Sequence, residues 1–328
     1  MKTLKIIFLL ILLFFAAAIG ITTRFFTHDL QLSSAKVNFT IPAGASLQSA
    51  AQRMESAGVE MPAWQLTWFG RLMGRASTIK AGSYEIERGI TAIELINKLT
   101  RGDVSMAEVL LVEGKTFAQW RAALNEHPDL AHDSLKLTDT AILQRISAPE
   151  KNPEGIFFPD TYLVDKGSSD LEVLRRARAA MALNLGTAWA GRDTSVKLAD
   201  PYALLILASI VEKETGLAAD RPQIAAVFAN RLRKGMPLQS DPTVIYGMGA
   251  KFDGNLRRLD LMTDSQWNTY TRTGLPISPI AMPGMASLMA VSRPPSSDYL
   301  YFVARGDGSS EFSTTLDAHN RAVAKFQK

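Results

Sequence analysis

Cysteine is absent from the 328 residues, which excludes disulfide staples and thiol chemistry. Histidine is scarce: His28, His127, His132 and His319 are too scattered to suggest a metal cluster, so neither a metal nor another cofactor is expected. A dominant charge is also lacking, since 36 Lys and Arg against 32 Asp and Glu leave only +4. No basic run suggests a nucleic-acid partner. The mild positive excess would suit an anionic polymer or a membrane surface, and equally an ordinary soluble balance. There is no internal repeat and no low-complexity tract. What is present, 47% hydrophobic and 21% charged residues, is enough for two folded domains and a sizeable core.

One long apolar run exists. Residues 6–23, IIFLLILLFFAAAIGITT, carry no charge over 18 positions and lie between Lys2 and Lys5 on one side and Arg24 on the other. At about 1.5 Å per residue that length just crosses a hydrocarbon core. The expectation is a transmembrane anchor over 1–23 with its amino terminus in the cytoplasm. A cleaved signal peptide, with Ala16-Ala17-Ala18 as the small-residue site, is the competing reading. Either way the rest of the chain is expected to be exported, as a single-pass protein of the inner (plasma) membrane with its catalytic part on the periplasmic or outer face.

Residues 24–36 read as a polar linker. From 37 to 102 the pattern is strand, helix, helix, strand, helix: VNFTIPAG, SLQSAAQRMESAG capped by Ser46, a helix after Pro62, IKAGSYEI, and TAIELINKLTRG with a capping box of Thr91 and Glu94. That is a small α+β module. Trp64, Trp68 and Phe69 have near-helical spacing and read as core. A boundary near Gly102-Asp103 opens a second domain, 103–328. It starts with a strand, VSMAEVLLVEG, and a helix with a second capping box, Thr116 and Gln119. A long helix is expected from about Ser169 to Trp189.

Asp200-Pro201 is a strong helix start, so 201–215 should be one helix closed by Gly216. Its end carries Glu212 and Glu214, which at about 100° per residue point roughly 200° apart and cannot act as a pair. Glu214 shares a stripe with Leu207, Ile210 and Val211, whereas Glu212 shares one with Leu205, Ala208 and Ser209. The more apolar stripe should face the core, which would partly desolvate Glu214 and raise its pKa, as a general acid requires. A solvated acid paired with Lys213 or Arg221 is the plainer alternative.

Five segments then resemble one family: EGIFFPDTY at 154–162, ASIVEKET at 208–215, NRLRKGMPLQSDPTVIYG at 230–247, NTYTRTGLP at 268–276 and HN at 319–320. In this order they resemble the endolytic murein transglycosylases of the MltG (YceG-like) type. The resemblance implies an α+β protein with a LysM-like module before a lysozyme-like, mostly helical catalytic domain with short strands. It implies a lyase that cleaves the β-1,4 bond between N-acetylmuramic acid and N-acetylglucosamine within peptidoglycan strands and leaves 1,6-anhydro ends. Glycan strands and cell-wall synthesis enzymes are the implied partners, alongside the membrane.

On this resemblance Glu214 is the catalytic acid. Gln239, Asp241, Tyr246, Asn268 and Tyr270 are expected as substrate-binding residues, because amides, hydroxyls and aromatic faces recognise sugars. Glu212, Glu154, Asp160 and Asn320 are expected to support them. The chain departs from the family pattern at Ile277, Met282 and Ser310, which bears on subsite detail. An exported muramidase and a non-catalytic wall-binding scaffold are the rival classes.

Overall fold

The computed structural model describes residues 26–214 and 216–327, together with Leu12, Gly20 and Arg24. The chain forms two compact units, 1–107 with 163–168, and 108–162 with 169–328. The division passes through two strands, at residues 107–108 and 162–163.

The first unit is built from β1 (Lys36–Ile41), α1 (Leu47–Ser56), α2 (Ala63–Leu72), β2 (Gly82–Glu87) and α3 (Ala92–Arg101). β1 alternates exposed and buried residues and pairs antiparallel with β2, Val37 opposite Ile86 and Phe39 opposite Tyr84. One face of this ribbon therefore joins Ala50, Met54, Leu66, Leu95 and Leu99 in a shared core. α3 begins with the reciprocal capping box of Thr91 and Glu94 and ends at left-handed Gly102, so both ends are satisfied locally.

The helical spacing of Trp64, Trp68 and Phe69 does not make all three core residues. Phe69 is buried and stacks on Phe26, but Trp64 and Trp68 are 69% and 53% exposed. Residues 64, 68 and 72 lie on the opposite side of α2 from Ala63, Leu66 and Gly70, and at Gly70 that buried side meets Leu47 of α1 and Ile96 of α3.

β3 (Met106–Leu111) leads into the second unit and pairs with β5 (Asp160–Asp165). Between them come α4 (Phe117–Glu126), β4 (Leu130–Ala131) and α5 (Asp139–Arg145). After β6 (Ser168–Ser169) the unit is mostly helical: α6 (Asp170–Ala190), α7 (Pro201–Glu214), α8 (Arg221–Arg233), α9 (Asp241–Met248), α10 (Arg258–Met262) and α11 (Met285–Ser292). A hairpin of β7 (Tyr301–Ala304) and β8 (Ser310–Ser313) and a last helix, α12 (Leu316–Phe326), complete it.

α7 is the axis of this unit. Leu204 to Val211 are all buried, and α6, α8, α9 and α11 pack around them. A helix apolar on every side is a core helix. The two stripes are thus equally covered, and unequal burial is not what separates Glu212 from Glu214.

The expected transmembrane anchor and single-pass inner-membrane placement are not retained. Among the described residues no helix is long and apolar enough to cross a membrane. α7 has 14 residues, about 21 Å at 1.5 Å each and short of a ~30 Å core, and the 21-residue α6 carries Asp170, Glu172, Arg175, Arg176 and Arg178. Nearly all of residues 1–23 lies outside the described residues.

Gly155 in the EGIFFPDTY segment has φ +80°, and a Cβ there would lie 2.4 Å from Pro279 Cβ. Both the backbone and the ring contact oppose a side chain. Gly155→Ala should therefore destabilise the second unit by about 2 kcal/mol or more, read as a lower denaturation midpoint. An unchanged midpoint would show that the loop relaxes freely.

Candidate active site

Glu214 closes α7 and enters a cavity of about 530 Å³ inside the second unit. Arg231, Gln239, Asp241, Tyr270, Ser310 and His319 also line it. α8 supplies Arg231, the loop before α9 supplies Gln239, the β7–β8 hairpin supplies Phe302 and Ser310, and α12 supplies His319.

The Glu214 carboxyl has one hydrogen-bond donor among the described side chains: Ser240 Oγ donates to Oε1 at 2.5 Å. Ser240 is the N-cap of α9, yet its hydroxyl does not cap that helix. Two threonines fix it in place. Its backbone N–H donates to Thr269 Oγ1 at 3.0 Å, and Thr243 Oγ1 donates to its carbonyl at 2.6 Å. The segment ending α7, the loop before α9 and the 268–276 loop thus converge on one carboxyl.

Burial is the largest influence on Glu214 and raises its pKa to about 7. The Ser240 hydrogen bond favours the carboxylate, the nearby Asp241 charge opposes it, and Arg231 favours it more weakly. The C-terminal end of α7 is also, by its helix dipole, a poor place for negative charge. Arg231 is itself 7% exposed and held by the carbonyls of Leu300 and Leu238, both at 2.7 Å. Burial lowers its pKa.

Gln239 and Asp241 flank Ser240 in the same cavity. Gln239 has φ +52°, rare for a side-chain-bearing residue, and its Oε1 accepts from Arg231 at 3.3 Å. Strain of this kind concentrates where a loop must aim groups at a site. Tyr270 Oη donates to Asp241 Oδ1 at 2.5 Å, and burial together with this acceptor pushes the phenol pKa up.

The other sequence-predicted residues lie elsewhere. Asn268 is 1% exposed: its Nδ2 donates to the carbonyls of Leu261 and Thr263, and its Oδ1 accepts from Tyr270 N–H, so it holds a loop rather than a ligand. Tyr246 faces a different cavity, where its hydroxyl donates to Glu154 Oε2 at 3.0 Å. The other Glu154 oxygen accepts Phe117 N–H at 3.0 Å, and burial raises this carboxyl to about 7 as well. Glu212 turns away from the Glu214 cavity. Its Oε2 accepts from Gly284 N–H at 2.9 Å and Ser287 Oγ at 2.7 Å, and Arg221 lies 3.7 Å from Oε1. Asp160 and Asn320 are exposed and line neither cavity.

Ser240, Arg231 and His319 were not singled out from sequence. Ser240 stands beside the more conspicuous Asp241, Arg231 lies inside a helix that reads as ordinary amphipathic sequence, and His319 belongs to the short HN segment. Among the described residues no group of His, Asp and Glu side chains could hold a metal ion.

The model of the YceG-like family matches residues 39–325. The chain belongs to that family. It is 33% identical over 311 residues to an endolytic murein transglycosylase of Bacillus subtilis, covering 90% of this chain and 86% of that protein. It is 28% identical to one of Streptococcus pneumoniae, covering 88% of this chain and 58% of that protein. A crystal structure of a YceG-like protein from Listeria monocytogenes aligns with a TM-score of 0.56 at 30% identity, over 88% of this chain and 99% of that one.

For this YceG-like chain the raised Glu214 pKa sets the sign of a stability test. A carboxyl whose folded pKa lies above its unfolded value near 4.5 binds more protons when folded, so it destabilises the fold as pH rises through 4.5 to 7. Glu214→Gln should remove that penalty, making the variant more stable than wild type at pH 8 by at most about 3 kcal/mol. The gap should close as pH falls toward 4.5. A melting-temperature series with a gap independent of pH would contradict a desolvated Glu214.

Proposed function

We propose that this protein is a lytic murein transglycosylase acting within peptidoglycan glycan strands, with Glu214 as its single acid and base. The observation that carries the reading is a carboxyl raised to about 7, held by Ser240 in a cavity that also presents Gln239, Asp241 and Tyr270. The relatives named endolytic murein transglycosylase supply the reaction class.

At neutral pH a substantial fraction of Glu214 carries a proton. That proton passes to O4, the oxygen linking N-acetylmuramic acid C1 to N-acetylglucosamine C4, and the C1–O4 bond breaks. The muramic C6 hydroxyl oxygen then bonds to C1, and its proton returns to the Glu214 carboxylate. No water is consumed, the acid is regenerated, and the new end is a 1,6-anhydro sugar. Because the nucleophile belongs to the substrate, one carboxyl suffices where an ordinary glycosidase needs two. Intramolecular attack also replaces a bimolecular encounter with an oriented one.

Arg231, fixed by backbone carbonyls, favours the carboxylate formed after the first proton transfer. Asp241 acts in the opposite sense and keeps the resting acid protonated. Asp241 is also the residue that would serve a hydrolase, since it shares the cavity and could orient a water. The two outcomes differ by one water in the product mass.

Digestion of isolated murein by wild type should yield anhydro ends, and Glu214→Gln should lower their release by at least about 100-fold. Retained anhydro products in that variant would remove Glu214 from the role, and reducing ends from wild type would make the enzyme a muramidase. The starting acid must be protonated, so kcat/KM should fall above about pH 7. Ser240→Ala deletes a donor that favours the carboxylate and should move that basic limb to higher pH by about one unit. A limb that stays in place would separate the pH dependence from Glu214.

A further inference from the structure

The second unit contains another cavity, of about 790 Å³, on a different side of α9 from Glu214. Its walls combine Phe117, Ile245, Tyr246 and Trp267 with polar groups of Asn152 and Gln119. Trp267 is held in place: its indole N–H donates to Ser278 Oγ at 2.9 Å and its ring meets Tyr246 edge to face, with centroids 5.6 Å apart. Tyr246 is held in turn by the buried Glu154 carboxylate. A fixed aromatic wall beside amide and carboxyl groups matches the two sides of a pyranose ring, an apolar face of C–H bonds and an edge of hydroxyls.

Adjacent residues of the same two elements line the two cavities. Glu214 and Asp241 line one, while their chain neighbours Lys213 and Pro242 line the other. A polymer cut in its interior needs sites for sugars away from the scissile bond, and binding energy from such sites can drive the reaction at the bond. We infer that the cavity formed by Trp267, Tyr246, Asn152 and Gln119 is a second glycan-binding site that holds a sugar of the strand remote from the bond being cleaved. This inference rests on the glycan-cleaving reading above.

Ala118 lies on the rim and is exposed, so Ala118→Trp fills the cavity without deleting an internal contact. The experiment measures binding of stem-free murein strands, long ones and a tetrasaccharide, to the full-length protein, with the wild-type cavity and the Ala118→Trp variant both carried on Glu214→Gln so that bound strands are not cleaved, and with melting temperature as the control for folding. The wild-type cavity should bind long strands at least about tenfold more tightly than the tetrasaccharide, and the variant should lose that preference. Trp267→Phe, which keeps an aromatic face but loses the indole and its bond to Ser278, should weaken long-strand binding several-fold. A length preference that survives Ala118→Trp in a folded protein would overturn the inference, as would its absence from the wild-type cavity. An effect confined to strands bearing peptide stems would also overturn it and make the cavity a peptide site. Binding is read without turnover, so anhydro products from wild type with no length preference would sink the second site and leave the catalytic reading standing.

Discussion

The contact between Ser240 and Glu214 is the constraint to which the rest of the cleft answers. A carboxyl at the end of a helix whose residues Leu204 to Val211 are all buried is unfavourable in its charged form, and without a donor it would be driven further toward its protonated form. One hydroxyl moderates this. To supply it, the chain holds Ser240 from both sides, by Thr269 to its amide and Thr243 to its carbonyl, and forgoes the helix cap that a serine in this position ordinarily makes. Asp241 and Arg231 then act in opposite directions, and the carboxyl comes to rest near 7.

The same helix shows how a carboxylate is kept out of chemistry. Glu212, two residues earlier, is matched by a backbone N–H at the start of α11, by Ser287 and by Arg221. The N-terminus of a helix favours negative charge and its C-terminus opposes it. Two acids two residues apart therefore meet opposite ends of helices: Glu212 is matched to the start of α11, and Glu214 stands at the end of its own helix. Their difference lies in partners rather than depth.

Features decided by neighbours in the chain were legible in the sequence. Both capping boxes and the start of α7 at Asp200-Pro201 depend on residues within a turn of one another. Features decided by what covers a surface were not. Periodicity shows that Trp64 and Trp68 share a stripe but not that α1 and α3 pack against the other side of α2. Residue type shows that Asn268 can bind sugars but not that three carbonyls already take its amide. For Glu214 the helical angle correctly separated it from Glu212. The apolar stripe does not separate them, because residues Leu204 to Val211 of α7 are buried all round.

The position of α9 follows from these contacts. Its first turn presents Asp241 to one cavity, while Ile245 and Tyr246, a turn further on, face the other. At eight residues it is too short to hold its orientation by propensity, so its ends must be fixed by tertiary contacts. Ser240 and Thr243 fix the start, and the Tyr246 hydroxyl on Glu154 fixes the later turn. Glu154 also receives Phe117 N–H from the first turn of α4, so one buried carboxyl joins two helices at a distance in sequence from Glu214. Tyr246 and Ser240 are thus the two points at which this short helix is tied to the rest of the unit.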